Sequence, residues 1–362
     1  MENRRLIDID IMKVFAIFFV FFNHMEDYGY YFFLGLKPGS AIFFVFLFLS
    51  VFCKFAVPLF FMMSGALLFN RDELKIGYVV KRLLKLAFII VLFSFFRFFF
   101  RKYVYFSINP DVVTTLMTLD YGLFFKLIYQ RPLEPDFWYL YLYASFLFVS
   151  PFLYLVSKNF QRRHLFYLAA VFFIFGAAVP CLEYLFSKNE VLLYDMFRNK
   201  WMYSFYPVVG YYLEHKMKDV SDKNLTVLWG VNLLTIFVSM YLTYDNIYQP
   251  GKEIKFSETF HNIFAPFNAA VLYITFKRKT ENVSVKTQKV FTFLAKGVFT
   301  AFLFHPYFVF ALVPPDLPAD VADNPFPTVM FMINTIMFFF FSGIVIYCVL
   351  SRIPVVKKIT RL

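Results

Sequence analysis

The sequence predicts an all-α, polytopic integral membrane protein with about ten transmembrane helices and both termini cytoplasmic. Three observations carry that reading. The 362 residues are 60% hydrophobic and 23% aromatic, with 57 phenylalanines, more apolar surface than a soluble domain of this length can hide. The hydrophobic residues come in blocks of about 20, which is the length of one bilayer crossing. Positive charge is spread unevenly over alternate connections.

Taken in order, the crossings are expected over residues 9–29, 44–68, 86–106, 137–157, 165–186, 201–217, 225–245, 259–277, 290–312 and 326–350. With the N-terminus inside, the cytoplasmic segments hold 22 of the 36 Lys and Arg, and the outer segments hold 10 when Arg101 and Lys102 at the outer end of the third crossing are counted with them. That bias sets both termini on the cytoplasmic side and accounts for much of the +12 net charge. No nucleic-acid partner is needed to explain it. The second block, 41–69, is too long for one straight crossing and contains Lys54 and Pro58. A kink at Pro58, or a short interfacial helix before it, absorbs the excess. The outer segment 107–136 contains "YGLFFKLIY", which reads as an interfacial or re-entrant element.

Cys53, Cys181 and Cys348 sit singly inside apolar blocks, a pattern that suits neither a disulfide framework nor a Cys-based metal site. The opening "MENRRLIDID" is basic before an apolar run, but the run is too long for a signal peptide and lacks a small-residue cleavage site. The whole chain, 1–362, therefore reads as a single transmembrane domain with no appended soluble domain.

Lys13 and His24 share the first block. Eleven residues apart, they are about three helical turns and about 16 Å from each other and return to nearly the same face. Lys13 then lies near the cytoplasmic surface and His24 in the outer half. Asp27, three residues on, shares that face and can fix the imidazole tautomer. The plainer reading is a snorkelling lysine and an interfacial histidine facing water. Against it, ionisable groups inside a span are functional suspects by default. Ser64-Gly65, in "VPLFFMMSGALLF", reads first as a small-residue notch for helix packing and second as a place where a ligand approaches. Lys81, Arg82 and Lys85 cluster at the cytoplasmic face, as a topogenic signal or a phosphate grip. Glu134, Asp136 and Trp138 open the fourth crossing at its outer mouth, where an aromatic belt is expected anyway. His305 adds a second histidine at a depth similar to His24, which suggests a shared polar cavity that His261, near the outer end of the eighth crossing, could join. His164 and His215 read as solvated loop residues. No HExxH spacing, glycine-rich phosphate loop or GxSxG elbow is present, and no metal is expected.

Together these motifs resemble the membrane acyltransferase type 3 family. Asp10-x-x-Lys13-x-x-Ala16 followed by His24 looks like that family's opening helix, with its Arg or Lys, ten residues, then His. "PLFFMMSGALL" resembles its second-helix motif and "KRLLKL" its basic motif. "FWYLY…SPFL", "YPVVGYYL" (206–213) and "VFTAFLFHPY" (298–307) look like its later segments, in the same order. The "VPLFFMMSG" form is most similar to the glycan O-acetyltransferase subgroup that includes the enterobacterial common antigen O-acetyltransferase.

The resemblance implies transfer of an acetyl or other short acyl group from acyl-CoA to a hydroxyl of a glycan or lipid-linked sugar, in a bacterial cytoplasmic membrane. Carried over by position, His24 is the catalytic histidine, and Lys13 and Arg82 serve the donor. Asp27 and His305 join the expected catalytic set, Lys85 and Ser64 the donor site, and Glu134, Asp136 and Trp138 the acceptor site. Acyl-CoA, the acceptor sugar and the bilayer are the expected partners, and a homodimer is left open. Lysine at 13 and at 85, where the family commonly has arginine, keeps the charge but not the planar fork. The rival class is a polysaccharide or small-solute transporter, for which cavity histidines and cations are equally suited. Such a protein favours broken helices with internal symmetry, and the sequence shows no internal repeat.

Overall fold

The computed structural model describes residues 7–100, 122, 137–187, 203–217, 219–248, 258–280 and 282–353. Among these the regular structure is entirely helical. The principal helices are α1 (Ile7–His24), α2 (Ala41–Phe52), α3 (Ala56–Leu68), α4 (Ile76–Phe99), α5 (Trp138–Asn159), α6 (Arg162–Phe173) and α7 (Val179–Ser187). They are followed by α8 (Tyr206–His215), α9 (Asp222–Tyr248), the single turn α10 (Thr259–Asn262), α11 (Ala265–Lys279), α12 (Val285–Leu312) and α13 (Phe326–Leu350).

Six helical stretches among the described residues are long and apolar enough to cross a membrane. They are Ala41–Leu68, Trp138–Asn159, Arg162–Phe186, Asp222–Tyr248, Val285–Leu312 and Phe326–Leu350. The other four expected crossings coincide with helices that are shorter or more charged. The first, α1, has 18 residues and carries Asp8, Asp10 and Lys13. The third, α4, starts at Ile76, so Lys81, Arg82 and Lys85 lie on its first turns and not in a loop before it. The sixth, α8, has 10 residues, and the eighth, α11, has 15. The segment "YGLFFKLIY" apart from Gly122, together with Glu134 and Asp136, lies outside the described residues. Large apolar side chains such as Phe148, Phe152 and Phe186 remain exposed along the spans, as lipid-facing surface requires.

The breaks have chemical causes. Pro58 lies in the first turn of α3, where a missing N–H is harmless, but its ring would clash with the carbonyl of residue 54 in a continuous helix. The chain answers with a 3-10 turn over Cys53–Phe55. Lys54 lies in this tightened turn within the helical stretch Ala41–Leu68. Pro180 similarly cannot donate to the carbonyl of Gly176, and a π turn over Ile174–Ala178 separates α6 from α7. Helix ends are tied as well. The Ser40 hydroxyl accepts from the Phe43 N–H at 3.2 Å to cap α2. Lys216 Nζ donates to the carbonyls of Ser157, Lys158 and Phe160 at the end of α5, where a cation also suits the helix dipole.

By packing, the chain forms two compact units. One comprises Met1–Asp72, Phe152–Ala295 and Pro314–Ile336, and the other comprises Glu73–Pro151, Lys296–Val313 and Met337–Leu362. In the first unit, α3 packs against α1, α8 and α11. Its contact with α8 is backbone on backbone: a methyl at Gly65 would strike the carbonyl of Pro207, and one at Gly210 would strike the carbonyl of Met62. In the second unit, a methyl at Gly343 on α13 would overlap Ala301 on α12, and one at Gly297 would overlap Ile344. Small residues let helices approach this closely in lipid, where dispersion and not water drives their association.

Gly65→Ala and Gly210→Ala should each destabilise the purified protein by about 1–3 kcal/mol, read as a lower thermal unfolding midpoint in detergent. Gly77→Ala, where the added methyl meets nothing within 4 Å, is the control and should leave the midpoint unchanged or raise it slightly.

Candidate functional site

The first unit holds Lys13, His24, Asp27 and Ser64. Lys13 and His24 lie on the same unbroken α-helix, so the helical spacing between them applies. Lys13 Nζ stands 4.0 Å from Asp10 Oδ1, three residues back on α1. Thr292 Oγ1 donates to the other oxygen of Asp10 at 3.3 Å. The helix ends at His24, Glu26 takes a positive φ of 46°, and a 3-10 turn covers Glu26–Tyr28. Asp27 is exposed on that turn, so the helical argument that put it on the face of His24 does not reach it. Ser64 Oγ donates to the Phe60 carbonyl at 2.8 Å, one turn back in α3. Its neighbour Gly65 makes the packing notch described above.

At the outer-half end of α1, by the sequence reading, a polar group assembles that sequence reasoning did not single out. Lys54 Nζ, at the corner before α3, donates to Asn23 Oδ1 at 2.9 Å and to Glu258 Oε2 at 3.2 Å. The same ammonium lies 3.7 Å from the Tyr30 ring centroid, a cation–π distance. Tyr31 donates its phenol hydrogen to Glu258 Oε1 at 2.5 Å. Burial, then the hydrogen bond and charge of Glu258, push the Tyr31 phenol well above its usual range, so it remains a donor. Tyr30 Oη and His261 Nδ1 share a 2.8 Å hydrogen bond, and Ser50 Oγ donates to the Tyr30 carbonyl at 2.6 Å. Lys54 could have been found, as an ionisable residue in an apolar block. Glu258 gives no local sign, because it stands 204 residues away in the chain.

The second unit holds Arg82, Lys85, Trp138 and His305. Arg82 donates to Tyr78 Oη at 3.1 Å, one turn back on α4, and to Tyr143 Oη on α5 at 3.4 Å. Its guanidinium also lies over the Tyr78 ring. Lys85 follows one turn later, half-buried like Arg82, and Trp138 is half-buried at the first position of α5. His305 is fully buried in α12, its ring beside Phe302 and Phe339. Its Nδ1–H donates to the Phe302 carbonyl at 2.6 Å. The adjacent Pro306 explains this bond: a proline cannot give the N–H that the carbonyl four residues back would receive, and the imidazole supplies a donor in its place. His305 thus has a structural duty.

Two histidines expected to be merely solvated make specific bonds. His215 Nε2 donates to the Ala66 carbonyl at 2.9 Å, and His164 Nδ1 accepts from the Gln161 N–H at 3.0 Å in the first turn of α6. Among the described residues no three His, Cys, Asp or Glu side chains gather as a metal site would require.

Compared with known proteins, the chain matches the family described as "Acyltransferase domain", the acyltransferase 3 family, over residues 6–352. The chain belongs to the acyltransferase 3 family. No curated protein and no solved structure matches it. The family match runs through both units of this acyltransferase, from α1 to the end of α13, and with its long apolar helices makes it an integral membrane protein of the acyl-transferring class.

The role of His305 in the acyltransferase's α12 can be tested by repair. His305→Phe alone should destabilise by about 1–3 kcal/mol, because it leaves a buried carbonyl without its donor. His305→Phe combined with Pro306→Ala should recover most of that loss, since residue 306 then offers its own N–H to Phe302. The thermal midpoints of the two variants decide the matter.

Proposed function

We propose that the protein transfers an acetyl or other short acyl group from acyl-CoA, entering from the cytoplasmic side, to a hydroxyl of a glycan or lipid-linked sugar. The observation that carries this reading is Lys13 and His24 on one continuous helix inside the family match. Acyl-CoA is a charged nucleotide head on a thin pantetheine arm that ends in a thioester. A cation separated from a histidine by about 16 Å of helix suits such a molecule lying along α1. Lys13 holds a donor phosphate as a charge-assisted contact, the role that Arg82 and Lys85 share in the family's basic motif. His24 receives the thioester end and either takes the proton of the attacking hydroxyl or accepts the acyl group itself before passing it on. In this reading the chain crosses a bacterial cytoplasmic membrane ten times with both termini inside. Donor and acceptor then meet from opposite sides, and the acyl group crosses the bilayer without CoA.

His24→Ala should abolish transfer while leaving the thermal midpoint nearly unchanged, since losing a positioned acid–base group reduces rate by about 10²–10⁴-fold. Near wild-type turnover in a folded His24→Ala protein would remove this mechanism.

Lys13→Ala should weaken acyl-CoA binding by about 10- to 150-fold, the worth of one charge-assisted contact, whereas Lys13→Arg should be tolerated. Titration with CoA reads both. In sealed vesicles of known orientation, acyl-CoA should serve only from the cytoplasmic side, with acylated sugar appearing opposite. Activity with both substrates confined to the cytoplasmic side contradicts the sidedness and leaves the acyltransferase reading standing. A protein that moves a glycan but never uses acyl-CoA is a transporter.

A further inference from the structure

We propose that Lys54, held by Glu258, is a positioning residue that fixes the C-terminal end of α1 and, with it, His24. The proposal rests on the assignment of His24 as the reacting histidine and deepens it.

A helix terminus frays, because its last carbonyls lack intrahelical partners. His24 is the last residue of α1, and the chain turns immediately after it. Left to itself, this is a poor place for a group that must meet a thioester within a few tenths of an ångström. The structure ties the chain on both sides of His24. Before it, Asn23 Oδ1 accepts from Lys54 at 2.9 Å. After it, Tyr31 is bonded to Glu258 at 2.5 Å, and the face of Tyr30 covers the Lys54 ammonium at 3.7 Å. Glu258 closes the loop by accepting from both Tyr31 and Lys54, one on each carboxylate oxygen. The Lys54 side chain is 13% exposed and that of Glu258 is 42% exposed, so water screens the ion pair on the carboxylate side and the Lys54–Asn23 bond is the better shielded tie.

The arrangement suits positioning better than substrate binding. Both of Lys54's hydrogen bonds go to side chains that already hold the chain around His24. Lys54 lies in the 3-10 turn over Cys53–Phe55, just before Pro58, where the regular helix is interrupted.

The experiment compares Lys54→Met, Lys54→Arg, Glu258→Gln and the double variant Lys54→Met/Glu258→Gln with the full-length wild type. Turnover of acetyl-CoA in Lys54→Met should fall about 10- to 100-fold, the range expected when a reacting group is misplaced by about an ångström. KM for the donor should stay within about twofold, because the donor's binding groups are elsewhere. Lys54→Arg, which keeps a donor and a cation for Asn23, Glu258 and Tyr30, should recover most of the turnover. The double variant should be no slower than Lys54→Met alone, since both changes break one clamp.

Hydrogen–deuterium exchange provides a readout that does not need activity. Amides in residues 20–31 should exchange faster in Lys54→Met, with the rest of the chain unaltered. Unchanged exchange in that segment overturns the proposal. Turnover near wild type in Lys54→Met, when His24→Ala is inactive, overturns it too, and so does full additivity in the double variant. A wild type that never transfers acyl groups defeats the proposed function, and the exchange result then decides the clamp by itself.

Discussion

The fold turns on the close approach of α3 and α8, where Gly65 and Gly210 let two backbones touch. In lipid there is little hydrophobic reward for bringing helices together, so contact area per residue decides which pairs form. Reciprocal glycines give this pair an unusually short separation, and α3 then offers its other sides to α1 and α11. The register of α3 in turn fixes the corner before it, and the corner fixes Lys54. A packing constraint between two helices thereby sets the position of a charged side chain bonded next to the candidate catalytic histidine.

Prolines do much of the remaining shaping. Pro58, Pro180 and Pro306 each remove an N–H at a different place in a helix, and the chain answers each differently: with a 3-10 corner, a π turn and a histidine side chain. In the last case the His305 imidazole mends a local backbone defect through its Nδ1.

Helices that are long and apolar were legible in the sequence, because length and composition alone specify them. Phe326–Leu350 was placed to the residue, and Trp138–Asn159 nearly so. Helices with charge in them were placed less well. The start of α4 was missed by ten residues because Lys81, Arg82 and Lys85 looked like loop, although a helix carries such side chains readily where they can snorkel. At the candidate site, Lys13 and His24 were readable because their relation is local, a matter of turns along one helix. The end of that helix at His24 was not, since nothing in "NHMEDYGYY" marks a stop as strongly as proline would. Glu258 was invisible for a different reason: its partners Tyr31 and Lys54 are brought to it by tertiary packing alone.

The distance in sequence between Lys54 and Glu258 has a consequence for biogenesis. The two residues are separated by 204 positions, and translation at about 5–20 residues per second takes about 10–40 s to cover that length. For the part of that interval after α1, α2 and α3 have left the ribosome, the Lys54 ammonium must lodge in or near the membrane without its carboxylate. The nascent protein therefore passes through a stage in which Asn23 and Tyr30 are within the emerged chain but the Glu258 half of the clamp is missing. Whatever shelters that charge meanwhile, whether lipid headgroups, water at the insertion machinery or the Tyr30 ring, governs how faithfully the first three helices are laid down.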